Sequence, residues 1–424
     1  MRGFAGSRAR APDLIGDRTT SAARHRRPLP PGRRVDEAAR IGLALFALAL
    51  GGFAIGTTGF VTMGLLPQIA DGIDVSIPAA GHVVSAYALG VVVGAPLIAT
   101  LAAKVPRKTQ LVALMAAFAV ANIASALAVS YGSLMVARFL SGLPHGTFFG
   151  IGSVVAASMV APNRRTWAVS MMLAGLTVAN VIGVPLSTLM GQHLGWQYPY
   201  AFVGALAIAC VAAVIAWIPV QPADENASAT KELKALTRPQ VWLALGIGTV
   251  GFGGMFATFS YITPTMTDLA GFSESTVPLI LVVYGVGMTI GATVAGKVSQ
   301  FGLMRGIIGS LSLIALLLAV FGFLAQGKVT AVIAVFLLGF LPTILVPMLQ
   351  TRLMDVAQEG QSLAAALNHS TLNAANALGA WMGSVVLSRG YGYEWPSRLG
   401  ALLAVGGVFI ALVSVWLGRR EAAR

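Results

Sequence analysis

The chain has 424 residues, of which 56% are hydrophobic and only 10% charged, with a formal net charge of +13. Soluble globular proteins carry about 25% charged residues, so this chain has too little polar surface to stay dissolved and reads as an integral membrane protein. The positive balance does not indicate a nucleic-acid partner: ten of the 28 basic residues lie before Ile41, nine of them in a Pro- and Arg-rich tail (1–38) whose composition predicts disorder.

That tail lacks the compact apolar stretch and cleavage site of a signal peptide. Beyond it, apolar runs of the ~20 residues needed to cross a bilayer recur at 41–66, 79–103, 109–129, 133–160, 166–190, 198–220, 241–266, 278–300, 306–326, 329–354, 361–388 and 396–418. Twelve spans put both termini on one side. On the opposite side only Lys328, Arg389 and Arg398 fall in loops or at the very start of a span, and Arg138 falls within a span. The remaining basic residues lie on the side of the termini, and the positive-inside rule makes that side the cytoplasm.

In chain order, the first span carries Thr57 and Thr58 in the stretch GTTGF. The second holds Gly90 and Gly94, a G-x-x-x-G spacing that lets helices approach closely. The loop after it, with Lys104, Arg107 and Lys108, is suited to helix C-termini or lipid phosphates. The third span contributes Asn122. The fourth places Arg138 about five residues in, roughly 8 Å deep at ~1.5 Å per residue. A charge at that depth faces the protein interior or a wet cavity.

His145 follows two turns deeper, beside Pro144. Its imidazole has an ordinary pKa near ~6.5 and changes charge close to physiological pH. The fifth span carries Gly175, Asn180, Gly183, Pro185 and Gly191, and Pro185 should bend it. Cys210 in the sixth is a packing residue, and as the only cysteine it rules out an intrachain disulfide. A polar linker, 221–240, separates the first six spans (39–220) from the second six (241–418), which end in a short tail, 419–424. Cavity candidates in the second six are Tyr261, Gln350, Asn373, Asn376 and Trp381. Asn373 and Asn376 share one helix face at i, i+3. Phe60, Phe256 and Phe259 are candidates for apolar walls. No metal-ligand spacing occurs, so neither metal nor cofactor is expected.

Sliding the chain on itself by 197 residues aligns Gly51, Gly56, Pro67 and Asp71 with Gly248, Gly253, Pro264 and Asp268. It also aligns Tyr87, Gly90 and Gly94 with Tyr284, Gly287 and Gly291. This is a parallel duplication, with each half of six helices related to the other about an axis normal to the membrane.

The segments FVTMGLLPQIA (60–70), YALGVVVGAPL (87–97), ARFLSGLPHGTFFGIG (137–152), GLTVANVIGVPLSTLMG (175–191) and FSYITPTM (259–266) resemble the major facilitator superfamily. Within it they resemble the bacterial drug and sugar efflux branch, with its AraJ-type arabinose-efflux permeases. The resemblance implies an all-α integral membrane protein of twelve transmembrane helices in two six-helix halves. It implies a bacterial inner-membrane transporter, working as a monomer among lipids, that exports a small molecule against protons by alternating access. It also matches Arg138 to the fourth-helix arginine of the proton-coupling region, and Gly183 and Pro185 to the antiporter signature of the fifth helix.

Two departures stand out. The basic loop after the second helix has Ala103 where the family places an Asp. The first helix reads GTTGF, with Gly59 where such relatives carry a glutamate. None of the fifteen acidic residues lies in a hydrocarbon centre. Proton coupling therefore falls to His145 or to a boundary acid such as Asp71, expected within reach of Arg138. A cavity holding Arg138 without a carboxylate favours neutral or weakly anionic cargo. The loss at Gly59 also keeps an uncoupled or uptake carrier open as the alternative. An intramembrane enzyme is excluded by the absence of paired acids or an H-E-x-x-H motif.

Overall fold

In hydrocarbon, backbone N–H and C=O groups must be satisfied within the chain, and a helix does this segment by segment. The computed structural model describes residues 31–101, 105–161, 164–220, 234–357 and 361–422, and among these no strand occurs. The long helices are α1 (Pro31–Gly64), α2 (Ile77–Leu101), α3 (Arg107–Ala126), α4 (Tyr131–Gly142 and His145–Ser158) and α5 (Arg165–Val178 and Val184–Leu194, joined by a π turn). They continue as α6 (Gln197–Trp217), α7 (Pro239–Phe259), α8 (Val277–Ser299), α9 (Leu303–Leu324), α10 (Lys328–Ala357), α11 (Gln361–Ser388) and α12 (Trp395–Ala422).

Eleven of these are long and apolar enough to cross a membrane. The twelfth, α11, has the length but interrupts its apolar run with Asn368, His369, Asn373 and Asn376. The first helix begins at Pro31, so residues 31–38, expected in the disordered tail, belong to it. Its apolar span is Ala39–Gly64. Tail residues 1–30 and linker residues 221–233 lie outside the described residues, as does Lys104. Ile41–Arg424 forms one compact unit.

Prolines set the breaks, because each lacks the N–H that would continue the ladder. The first helix stops at Gly64, and a short helix, Leu66–Gly72, restarts with Pro67 in its first turn. At the equivalent place α7 stops at Phe259, and a short segment, Ile262–Pro264, leads into a π turn, Thr265–Leu269. Pro144 divides α4. Pro185 follows a π turn at Ala179–Gly183, which interrupts the regular ladder of α5.

The duplication is visible in the packing. A Cβ on Gly90 would overlap the Phe139 carbonyl oxygen, one on Gly94 that of Leu143, and one on Gly142 that of Tyr87. Each contact recurs 197 positions later, as Gly287 on Phe336, Gly291 on Phe340 and Gly339 on Tyr284. The spacing that permits close helix approach thus builds the α2–α4 pair and its copy, α8–α10. The halves meet along two seams, α2 against α11 and α5 against α8. On the second seam the backbone carbonyl of Asn180, inside the π turn, lies where a side chain on Gly285 would stand.

Candidate functional site

Arg138 is fully buried. Its Nη1 donates to Thr58 Oγ1 at 2.9 Å and to Ser141 Oγ at 3.4 Å, and its Nη2 donates to the Thr58 carbonyl oxygen at 3.1 Å. The guanidinium carbon lies 4.4 Å from the Tyr87 ring centroid and 5.0 Å from that of Tyr200. Thr58 Oγ1 in turn donates to Asn122 Oδ1 at 2.7 Å, and the hydroxyls of Thr62 and Tyr200 pair at 2.8 Å. One side chain therefore ties α1, α2, α3, α4 and α6 into a polar core, its charge spread over neutral acceptors and two π faces.

The copy of this position in the second half is apolar. Val335 stands at the repeat of Arg138 and Met255 at that of Thr58, while Tyr284 remains, its hydroxyl 3.8 Å from Met255 Sδ. The duplication supplied the frame, and only the first half placed a charge in it.

Asp71 is not where sequence reasoning put it. It is exposed, on the short helix beyond the break at Leu65, and makes no contact with Arg138 among the described residues. The Pro67 break turns the chain away before Asp71 is reached. Thr57, Thr58 and Asn122, expected in a cavity, are buried inside the first half: Thr57 Oγ1 donates to the Phe53 carbonyl, and the other two belong to the Arg138 network. Trp381, expected to line the cavity, is 53% exposed.

The halves are fastened at the end away from the termini. Thr263 Oγ1 donates to the carbonyls of Met63 and Gly64, both at 3.1 Å. Gln68 Nε2 reaches Glu274 Oε2 at 3.1 Å, and Gln192 Nε2 reaches the Glu274 carbonyl at 2.9 Å. His82 bridges Tyr131 (2.8 Å) and Ser384 (3.0 Å), whose hydroxyl donates to the Pro78 carbonyl. Ser85 donates to the Ala377 carbonyl. Tyr261 is fully buried in this layer, donating to the Ala380 carbonyl at 2.9 Å. Just below, Phe60 of the first half meets Phe256 and Phe259 of the second, with centroids 6.5 and 5.9 Å apart, and Phe259 stacks on Tyr284 at 3.9 Å.

Beneath that aromatic layer two histidines meet across the seam. Tyr87 turns its hydroxyl to His145 Nδ1 at 2.9 Å, so one tyrosine touches both Arg138 and His145. His145 and His369 lie 6.4 Å apart by ring centroid, and His369 stacks on Phe149 at 5.4 Å with 6° between planes. Both imidazoles keep partial exposure at mid-span. Sequence reasoning missed His369, and with it His82 and Tyr131. The available signal was the polar run NHSTLNAAN inside an otherwise apolar span.

Asn373 and Asn376 continue the His369 face. Asn373 Nδ2 donates to the His369 carbonyl at 2.9 Å, while Asn376 Oδ1 is buried without a partner. Asn180 sits on the α5–α8 seam with Nδ2 on the Leu176 carbonyl, and Gln350 is half-buried on α10. At the end nearer the termini, Lys108 Nζ donates to the Ile215 carbonyl, a free acceptor in the last turn of α6, at 2.8 Å. Arg107 opens α3. Ser153, Val154, Ala157, Ser158 and Arg165 line a recess at that same end.

Residues 48–362 match the family model described as Major Facilitator Superfamily. The chain is 40% identical over 382 residues to the inner membrane transport protein YdhP of Escherichia coli K12, covering 90% of this chain and 97% of that one. It is 34% identical to the putative transporter AraJ of the same organism (89% and 96% covered). It is 32% identical to a chloramphenicol resistance protein of Streptomyces lividans (87% and 95% covered). In fold it is similar to the crystal structure of a bacterial homolog of the human lysosomal transporter Spinster, in an inward-facing, unoccupied conformation. There the TM-score is 0.64 at 15% identity, over 88% of this chain and 95% of that one. The chain belongs to the Major Facilitator Superfamily, as a multi-pass membrane transport protein rather than an enzyme.

Proposed function

We propose that the protein exports small neutral or weakly anionic amphiphiles from the cytoplasm in exchange for protons, by rocking its two halves about the seams. The carrying observation is the mid-membrane layer where His145, held by Tyr87, faces His369 of the other half beneath a fastened distal end. With both termini cytoplasmic, as the basic loops favour, that fastened end faces outward, and the site is poised to load from the cytoplasm. Substrate sites of such transporters lie near the bilayer midplane between the repeats. A neutral imidazole can donate and accept, which suits uncharged cargo. Arg138, without a carboxylate partner in its network, opposes cations.

Chloramphenicol is the first probe, being neutral and named for a relative. Cells overproducing the protein should accumulate less labelled chloramphenicol, and a protonophore should abolish the difference. Export that survives full dissipation of the gradient would favour the second reading, an uncoupled carrier, for which Gly59 is the motivating residue.

A further inference from the structure

The site described above leaves ring nitrogens unused. His145 Nδ1 is taken by the Tyr87 hydroxyl, which leaves Nε2. The contacts of His369 are with rings, and neither of its nitrogens takes a hydrogen bond among the described residues. Two imidazoles with unengaged nitrogens, one from each half, therefore stand 6.4 Å apart by ring centroid at mid-span.

We propose that His145 and His369 act as one proton-binding unit across the seam, whose charging and whose contact exclude each other. This rests on the proton-coupled reading above and names the group that performs the coupling in a chain with Gly59 in its first helix. Two unit charges 6.4 Å apart, in surroundings of effective permittivity about 20, disfavour the contact on the order of 80-fold. Linkage makes the effect reciprocal: protons taken up with the halves apart are discharged as the halves adopt the arrangement seen here.

The surroundings leave the pair in control of its own charge. Helix α2 presents Tyr87 to it, with Arg138 on the far side of that ring, and α11 presents only His369. On α1, α3 and α5 the other titratable side chains within the described apolar spans, Arg40, Arg107, Lys108, Arg165 and His193, stand at span ends. Of the helices packed on α11, α7 carries no charged side chain, and Lys328, Arg352 and Asp355 of α10 and Arg398, Arg419 and Arg420 of α12 lie towards their helix ends. His82, five residues before Tyr87, is engaged by Tyr131 and Ser384 in the distal layer.

The test measures conformation without any cargo. In a Cys210→Ala background, spin labels at Val129→Cys and Val329→Cys, exposed positions at the distal ends of the two halves, report the distance between them in nanodiscs from pH 8.5 to 5. The short distal-closed distance should dominate at high pH and lose population on acidification. His369→Asn and His145→Asn should each abolish that response, while size-exclusion profiles stay unchanged. A distance that ignores pH in the unsubstituted pair overturns the proposal, and so does a full response retained in His369→Asn. His369→Gln provides a second neutral replacement should the Asn variant not fold. Gradient-driven chloramphenicol export with a pH-independent distance would sink the histidine unit and leave the coupled reading standing. A pH-responsive distance with gradient-independent export would do the reverse.

Discussion

Gly59→Glu puts a carboxylate where the resemblance expects one, and a Cβ there starts without a clash. A Cβ on Gly59 meets only Tyr87 Cε1, at 3.9 Å. Removing a mid-helix glycine also favours the helix by up to ~1 kcal/mol. The Arg138 guanidinium carbon lies 4.4 Å from the centroid of the same Tyr87 ring, so a carboxylate on that stem stands roughly 6–8 Å from the charge. At an effective permittivity of about 20 this attraction is about 2–3 kcal/mol, enough to offset most of the repulsion that Arg138 exerts on a cation in the cavity. A lipophilic cation about 5 Å from the carboxylate gains about 3 kcal/mol by the same law. After its own desolvation roughly 1.4 kcal/mol remains, or about tenfold in affinity. Ethidium binding by fluorescence, and ethidium efflux from loaded cells, would both read this. A variant with wild-type melting that binds ethidium no tighter than the parent would refute the argument that the missing carboxylate sets cargo charge.

Arg138→Lys keeps the charge but loses the fork that spans Thr58 Oγ1 and its carbonyl, and the planar overlap with Tyr87 and Tyr200. It should cost about 2–3 kcal/mol, seen as a lower melting temperature with transport impaired more than cargo binding. Gly90→Ala drives a methyl into the Phe139 carbonyl and should destabilise by about 1–3 kcal/mol. Gly287→Ala, its repeat, should cost a similar amount, and the two should add, since they sit in separate halves. Thr263→Val removes the donor that fastens Met63 and Gly64. It should weaken the distal seal by about 1 kcal/mol, detected as a larger distal-open population with the Val129 and Val329 labels.

The sequence alone determined the membrane class, the twelve spans, the duplication and the family. All of these are carried by local hydropathy, charge sidedness and a constant offset, which survive without any knowledge of contacts. It also pointed to an irregularity near Pro185, because a proline acts on the backbone of its own helix. The breaks at Pro67, Pro144 and Pro264 became visible only in the structure, where Pro342 and Pro347 sit inside an unbroken helix. The site was only half legible. Arg138 and His145 stood out as polar groups in an apolar run, yet their partners could not be read from the chain. Tyr87 looked like a repeat marker until the fold laid it between Arg138 and His145. Depth alone places Asp71 near Arg138, but depth is one coordinate: beyond the break at Leu65 Asp71 is exposed while Arg138 is buried. Thr58 and Asn122 were polar enough for a cavity and proved to be buried partners of the arginine. His369, 224 positions from His145 in the sequence, meets it only because two six-helix halves close face to face. Which polar side chains share a space depends on helix rotation and on how the halves dock, and no spacing within a single helix encodes either.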